Sequence, residues 1–188
     1  MKVLYFTNSD VTDVTRVPLI LQKYGDEVLY WNRRLDIDVL RKRNIDFIVS
    51  DRARFLIRED VLTHYEKRII NLHPSFLPWC KGYYPNYFSI KNREPFGVTL
   101  HYIDAGIDTG DIICQTRLFL KADDTLRTTY NRCRDAIVSL LDQNWQDIRS
   151  GNLLPLKQES KGSLYYKKDF EGVFETLSHG WDTSIKSL

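Results

Sequence analysis

Short apolar runs alternate with amphipathic segments along the first half of the chain. Runs of β-branched and aromatic residues predict buried strands at positions 2–7, 27–31, 46–50 and 69–72. Helical spacing predicts helices between them: one has Pro18 in its first turn and Gly25 at its end, and two others span 36–43 and 58–65. Strands that alternate with helices in this way predict an α/β fold built on a parallel sheet with helical crossovers.

The second half predicts a short helix at 85–91, strands at 98–102 and 111–115, and then the longest helix of the chain. Either of two polar residues, Asp124 or Thr125, caps the long helix, and a glycine follows its last turn. Apolar residues recur along this helix at intervals of three or four and predict a core-facing stripe: Leu126, Tyr130, Cys133, Ile137, Leu140, Leu141, Trp145 and Ile148.

Residues 152–188 differ in character from the rest of the chain. They contain KGSLYYKKDFEG, which predicts either a hairpin or a strand that enters a helix. No internal repeat or low-complexity tract divides the chain elsewhere. We therefore predict a main domain at 1–151 and a C-terminal extension at 152–188.

Composition narrows the class of protein. The 188 residues carry a formal net charge of +2, which is too small to indicate nucleic-acid binding. No apolar run is long enough for a signal peptide or a membrane span. The three cysteines, Cys80, Cys114 and Cys133, form no CxxC pair, so we expect neither a metal site nor a disulfide and place the protein in a reducing cytoplasm. Neither GxGxxG nor GxxxxGK[ST] is present, so no nucleotide-binding loop is indicated.

Polar residues with compatible chemistry follow several of the predicted strands. Asn71 and His73 come at the end of the fourth strand, and Asp104 and Asp108 lie in the turn DAGIDTGD. Because ligands of open α/β sheets bind beyond the carboxyl ends of the strands, we expect these segments to meet in one cleft. An Asn amide can donate to an oxyanion, a His can carry a proton near neutral pH, and an Asp can raise the pKa of that His. This set suits acyl transfer to an amine.

A covalent nucleophile is not indicated. No serine lies in a G-x-S-x-G elbow, so a serine hydrolase is poorly supported. Cys80 is better interpreted as a small loop residue than as a nucleophile.

Two spaced motifs resemble the folate-dependent formyltransferases: N-L-H-P-S-F-L-P at 71–78 and G-V-T-L-H-Y-I-D-A-G-I-D-T-G-D-I-I at 97–113. The resemblance is close over 46–115 and looser as far as residue 151. It implies the formyltransferase fold, a Rossmann-like, mostly parallel sheet flanked by helices, with 1–151 as the catalytic domain. It also implies 10-formyltetrahydrofolate as the formyl donor.

Carried over by position, the resemblance implies that Asn71, His73 and Asp108 are the catalytic residues. An amine would attack the formyl carbon directly, while Asn71 and a protonated His73 stabilise the oxyanion. Asp108 would hold His73 charged and help to remove the amine proton through water. His101 either supports this group or simply closes its strand.

Two segments of the chain resemble the family's pterin pocket. One wall is the loop formed by Arg54, Phe55, Leu56 and Ile57. The other wall is the turn that contains Ile103, Asp104 and Gly106. The resemblance implies that backbone groups of the loop read the pterin edge while apolar side chains enclose the ring.

Among members of the family, the nucleotide-sugar N-formyltransferases fit best. Their pattern resembles KGYYPNYFSI, REPFGVTLHYID and SLYYKKDF in this chain. The implied acceptor is a dTDP- or UDP-linked amino-dideoxy sugar with a primary amine. Candidates to line the sugar or base pocket are Tyr83, Tyr84, Asn86 and Tyr87, although Tyr84 and Phe88 could equally be core contacts of the short helix.

Other functions stay open. Glycinamide ribonucleotide enzymes have a glycine-rich phosphate loop, but TNSDVTDVTRVP contains no glycine. Methionyl-tRNA enzymes carry a further C-terminal domain and a basic surface, and the formyltetrahydrofolate hydrolase carries a preceding regulatory domain. A catalytically silent folate- or sugar-binding module on the same fold is a different class of function. The resemblance favours a homodimer, and the short segment before residue 46 suggests an abbreviated N-terminal half.

Overall fold

The computed structural model describes residues 1–8 and 15–188. The strands are β1 (Lys2–Thr7), β2 (Glu27–Trp31), β3 (Phe47–Asp51), β4 (Ile69–His73), β5 (Lys81–Gly82), β6 (Gly97–Tyr102), β7 (Ile112–Arg117) and β8 (Leu164–Tyr165). The helices are α1 (Arg16–Lys23), α2 (Ile37–Lys42), α3 (Glu59–His64), α4 (Pro85–Lys91), α5 (Leu126–Ser150) and α6 (Val173–Thr176). Six strands form one sheet in the order β2-β1-β3-β4-β6-β7, and β5 pairs with β8.

The predicted α/β class is confirmed, and the elements agree with their predicted bounds to within one or two residues. Local capping explains this agreement. The Asp36 carboxylate accepts from two backbone N–H groups at the start of α2. Of the two candidate caps of α5, Thr125 is the N-cap and forms a capping box with Thr128. Gly151 ends α5 at a φ of 68°, which a residue without a Cβ adopts at little cost.

The direction of the sheet changes after β4. Strands β1 to β4 run parallel, whereas β6 pairs antiparallel with β4 and β7 antiparallel with β6. Ile70 therefore lies opposite Tyr102, so the carboxyl end of β6 is beside the amino end of β4. The expectation that the turn after β6 lies at the carboxyl edge of a parallel sheet is wrong. The turn instead folds back over the sheet, and its Asp108 reaches Asn71 on β4.

Apolar side chains cover both faces of the sheet. On one face, alternate strand residues such as Val49, Ile70 and Leu100 pack against α1 and α5. On the other face, their neighbours in β1, β3 and β4 pack against α2 and α3. Every residue of the predicted α5 stripe except Tyr130 is buried. Leu126 packs with apolar residues of the C-terminal segment, and the others belong to the cluster on the α1 face of the sheet.

The segment after residue 151 packs against the rest of the chain. Its backbone bridges β7 at Leu156 and pairs with β5 through β8. Of the two predictions for KGSLYYKKDFEG, the strand that enters a helical turn is confirmed, since β8 leads into a 3₁₀ helix at Lys167–Phe170. The boundary at residue 151 stays a prediction.

Two further predictions concern the segment after β1 and the membrane. The glycine-free segment that argues against a phosphate cradle spans residues 7–18, and half of it, residues 9–14, lies outside the described residues. Among the described residues, no helix combines the length and the apolar character needed to cross a bilayer.

Candidate active site

The site begins with the alternation of side chains along β4. Because successive residues point to opposite faces, Asn71 and His73 share one face while Ile70 and Leu72 pack toward α5 on the other. The antiparallel register places His101 of β6 opposite Asn71. Three polar side chains therefore lie side by side on the face opposite α5.

Asp108 completes this cluster from the loop between β6 and β7. It adopts a φ of 51°, a left-handed conformation that is uncommon for a residue with a Cβ. Its Oδ1 accepts a hydrogen bond from Asn71 Nδ2 at 3.2 Å, and its Oδ2 accepts from the backbone N–H of Gly82 at 2.8 Å. The same carboxylate lies 3.6 Å from His73 Nδ1 and 3.4 Å from His101 Nε2. The structure thus brings all three predicted catalytic residues together.

The loop that carries Asp108 is shaped by its own side chains. Asp104 Oδ1 accepts from the Gly106 N–H at 3.0 Å and from the Thr109 hydroxyl at 2.6 Å. A Cβ on Gly110 would lie 1.9 Å from the Tyr102 carbonyl oxygen, so only glycine fits there. These contacts fix the turn from which Asp108 projects.

Backbone carbonyls define the proton positions of both histidines. His73 Nε2 lies 3.1 Å from the Cys80 carbonyl oxygen, which can only accept, so the proton is on Nε2. His101 Nδ1 lies 2.7 Å from the Tyr102 carbonyl oxygen and carries the proton for the same reason. The remaining nitrogen of each ring faces Asp108.

Burial and hydrogen bonding determine the charges in the site. Burial lowers the pKa of His73 below its ordinary value, and the opposing attraction of Asp108 is the weaker effect. Burial would raise the pKa of Asp108, but His73, His101 and the Gly82 N–H outweigh it and hold that pKa well below its usual range. Burial thus opposes the charged form of His73, and the expectation that Asp108 keeps His73 charged stays a prediction.

The cluster also has donor atoms suited to a metal ion. Those of His73, His101 and Asp108 all lie within 4.8 Å of one another. Two imidazoles and a carboxylate are common ligands of transition metals, and both rings are already oriented by carbonyls. The expectation of no metal stays a prediction.

Cys80 has a structural environment. Its side chain is buried, and its Sγ donates to Glu94 Oε2 at 2.7 Å. Burial, reinforced by Glu94, raises the pKa of the Cys80 thiol. Since the thiolate is the nucleophilic form, this arrangement disfavours a nucleophilic role.

The two predicted walls of the pterin pocket meet the same apolar cluster. Ile57 and Ile103 both pack against the buried residues beneath α2 and α3. Arg54 and Phe55 are exposed on the loop before Ile57, and Leu56 is 86% exposed. Such an exposed apolar side chain is available to cover a planar ligand.

The four predicted acceptor residues divide into two pairs. Tyr83 and Tyr84 are partly exposed, with ring centroids 4.5 Å apart. Asn86 and Tyr87 are buried, and Asn86 Nδ2 donates to the Leu126 carbonyl at 3.1 Å. Tyr87 packs against Phe170, and the acceptor role of both buried residues stays a prediction.

Aromatic residues of the C-terminal segment extend the exposed pair. The Tyr84 ring packs against Phe170 in a tilted arrangement with centroids 4.0 Å apart, and its centroid lies 5.4 Å from that of Trp181. Phe88, by contrast, is buried and stacks on Tyr165 at 4.0 Å, which makes it the core contact that the sequence left open. Neither Phe170 nor Trp181 was predicted from the sequence, although Phe170 lies within SLYYKKDF.

The groups that hold His73 and Asp108 in place were not predicted from the sequence either. These are the Gly82 N–H on Asp108, the Cys80 carbonyl on His73, and Gln158, whose Nε2 donates to the Asp108 carbonyl at 2.9 Å. Backbone groups carry no sequence signal, and Gln158 lies 50 residues beyond its partner.

The sheet thus presents Asn-x-His on one strand beside an Asp from a neighbouring loop, the residue set expected of a formyltransferase. The chain belongs to the formyl transferase family, whose model matches residues 32–143. It is 36% identical over 104 residues to the dTDP-4-amino-4,6-dideoxyglucose formyltransferase of Mycobacterium tuberculosis. The matched region covers 55% of this chain and 44% of that protein. It is also 28% identical over 127 residues to the methionyl-tRNA formyltransferase of Caldanaerobacter subterraneus, and that match covers 67% of this chain and 41% of the relative. The chain thus spans less than half the length of these curated relatives.

Solved structures extend the likeness over the whole chain. The formyltransferase PseJ from Anoxybacillus kamchatkensis superimposes with a TM-score of 0.92 at 38% identity, over 100% of this chain and 97% of that one. That crystal structure contains UDP-4,6-dideoxy-4-formamido-L-AltNAc and tetrahydrofolate. A 4-N formyltransferase from Francisella tularensis has a TM-score of 0.79 at 21% identity, covering 92% and 79%, and supports the fold alone.

Proposed function

We propose that this chain transfers the formyl group of 10-formyltetrahydrofolate to the primary amine of a nucleotide-linked 4-amino-4,6-dideoxy sugar. The observation that carries the proposal is the convergence of Asn71, His73 and Asp108 in a member of the formyl transferase family. The ligands named for PseJ and the substrate named for the mycobacterial relative support this acceptor class. A UDP-linked sugar is favoured because PseJ is similar over the whole chain.

In the proposed mechanism the amine nitrogen attacks the formyl carbon and leaves an oxyanion on the former carbonyl oxygen. Asn71 Nδ2 donates to that oxyanion in place of one of its present acceptors, the Asp108 carboxylate and His101 Nε2. The bond from the formyl carbon to N10 of the folate then breaks. No covalent bond to the protein forms.

In the proposed mechanism His73 starts as a neutral imidazole, because burial lowers its pKa. Its Nδ1 is unprotonated and faces Asp108, so it can take the proton that the amine loses. Asp108 stabilises the imidazolium that forms, and Nδ1–H can then deliver the proton to N10 as the folate leaves. In this mechanism His73 acquires its charge during the reaction, which differs from the permanently protonated His73 expected from sequence.

The proposed binding roles belong to exposed residues near the cluster. We propose that Phe55, Leu56 and Ile57 cover one side of the pterin and that the turn at Ile103 forms the other wall. The exposed rings of Tyr83 and Tyr84 offer a stacking surface for the base or the sugar. A homodimer and a cytoplasmic location stay predictions.

The test is release of tetrahydrofolate from 10-formyltetrahydrofolate, with and without UDP- and dTDP-linked 4-amino-4,6-dideoxy sugars, beside His73→Ala. We expect release that requires one amino sugar and disappears in the variant. Release without any amine would identify a hydrolase. Folate binding with no release in any mixture would identify the silent module, and release with methionyl-tRNA or glycinamide ribonucleotide alone would identify those transferases.

A further inference from the structure

Residues 156–165 of the C-terminal segment lie beyond the part of the chain that matches the family model. We propose that these residues, the positioning segment, hold His73 and Asp108 in their working geometry, and that Glu94 anchors the segment to the domain. The inference rests on the proposed function, because it assigns positioning residues for that reaction.

The first contact is the pairing of β8 with β5. The Lys81 N–H donates to the Ser163 carbonyl at 3.0 Å, and the Tyr83 N–H donates to the Tyr165 carbonyl at 2.8 Å. Gly82 sits between them at a φ of +86°, and a Cβ there would lie 2.3 Å from the Tyr165 oxygen. The positioning segment therefore fixes the position of a strand only two residues long.

That short strand supplies two contacts to the catalytic residues. The Gly82 N–H donates to Asp108 Oδ2 at 2.8 Å. The carbonyl of Cys80, the residue before β5, accepts from His73 Nε2 at 3.1 Å and so fixes the tautomer. A shift of β5 by even part of a residue would misplace both groups at once.

Glu94 joins the two sides of this pairing. Its Oε2 accepts from the Cys80 thiol at 2.7 Å and from the Ser163 hydroxyl at 2.6 Å, and its Oε1 accepts from the Tyr165 hydroxyl at 2.9 Å. Ser163 Oγ also accepts from the Cys80 N–H at 2.8 Å. One carboxylate thus binds a residue beside β5 and two residues of the positioning segment.

A second contact reaches the other side of the site. Gln158 Nε2 donates to the carbonyls of Asp108 at 2.9 Å and of Gly110 at 2.8 Å. Asp108 has a left-handed backbone, so its loop benefits from a fixed partner. The positioning segment therefore contacts the loop of Asp108 directly and His73 through β5.

Glu94→Leu removes all three acceptor contacts while keeping a side chain of similar length. We expect kcat to fall on the order of 10- to 100-fold, because small displacements of reacting groups have effects of this size, while KM for folate and sugar stays near wild type. Glu94→Gln retains one acceptor oxygen and should restore part of the lost kcat. Glu171→Gln, an exposed change on the same C-terminal segment, is the matched control.

A second readout does not depend on activity. Nitrogen-15 NMR of the histidine rings reports the tautomer of His73, assigned by the loss of its signals in His73→Gln. We expect the Nε2–H tautomer in wild type, and a mixture of tautomers in Glu94→Leu. If Glu94→Leu does not fold, two milder variants take its place. Tyr165→Phe removes the hydroxyl that donates to Glu94 and accepts from Asn92, and Gln158→Leu removes the donor to the Asp108 and Gly110 carbonyls. Each should lower kcat and not raise KM.

The possible results separate the two proposals. Wild-type protein that turns over no amine contradicts the proposed function, and the NMR result then decides the positioning role alone. A folded Glu94→Leu variant with normal kcat and an unchanged His73 tautomer would overturn the positioning role. So would a variant in which only thermal stability falls.

Discussion

Replacing Asn71 with alanine tests the chemical role of the site most directly. In the structure its Nδ2 donates to Asp108 at 3.2 Å and lies 3.3 Å from His101 Nε2, on the same face of the sheet as His73. Loss of one oxyanion donor costs about 2.7–4 kcal/mol in the transition state, so we expect kcat to fall roughly 10²–10³-fold. In the proposed mechanism Asn71 donates to the oxyanion of the transition state, so the KM values of both substrates should stay close to wild type.

The same substitution has a smaller effect on folding. Asp108 loses one hydrogen-bond donor but keeps the Gly82 N–H, so unfolding should become easier by about 1–3 kcal/mol. Initial rates of tetrahydrofolate release at saturating substrates give kcat, and urea denaturation gives stability. Asn144→Ala is the matched control, because that half-buried asparagine bonds only the Leu140 carbonyl within its own helix. It should lose some stability and no kcat.

Two results would contradict the role of Asn71 as an oxyanion donor. If Asn71→Ala turns over nearly as fast as wild type, Asn71 does not stabilise an oxyanion. If kcat falls only in proportion to the folded fraction measured by urea, its role is structural.

Three further predictions concern stability. Asp51→Asn should destabilise the fold by about 3–5 kcal/mol in urea denaturation, because buried Arg134 donates to both carboxylate oxygens, at 2.7 and 2.8 Å, and would keep an uncompensated charge. Since folding lowers the pKa of His73, the unfolded chain binds its proton more tightly, so stability should fall as pH drops below about 6.5, and His73→Gln should reduce the slope of urea midpoints there. Leu141→Ala, at a fully buried position of α5, should lower stability by about 2–5 kcal/mol with kcat unchanged, as thermal melts and rates would show.

The amino-acid sequence determined what depends on neighbouring residues. Alternating and helical apolar patterns defined the strands and helices, and the caps at Asp36, Thr125 and Gly151 set helix ends. The sequence also placed Asn71 and His73 together at the end of the fourth predicted strand, and the period of two along β4 puts them on one face. These features are local, so a single sequence contains enough information to predict them.

Tertiary structure decided what depends on distant residues. The reversal of direction at β6 places His101 beside Asn71, and the left-handed turn of Asp108 brings its carboxylate to both. Strand direction and register are set by contacts across the sheet, which the spacing of residues within one strand does not specify.

The charge of the site and the support for it were also decided by the tertiary structure. Burial lowers the pKa of His73 more than its nearest carboxylate raises it, and burial is a property of the whole packed chain. Asn86 is buried and its Nδ2 donates to the Leu126 carbonyl of α5, a contact that its position in the motif does not specify. The groups that hold His73 and Asp108 come from β5, Glu94 and the positioning segment, whose hydrogen bonds join residues as many as 83 positions apart. Local sequence predicted which residues could do the chemistry, and long-range packing determined their protonation, geometry and access to ligands.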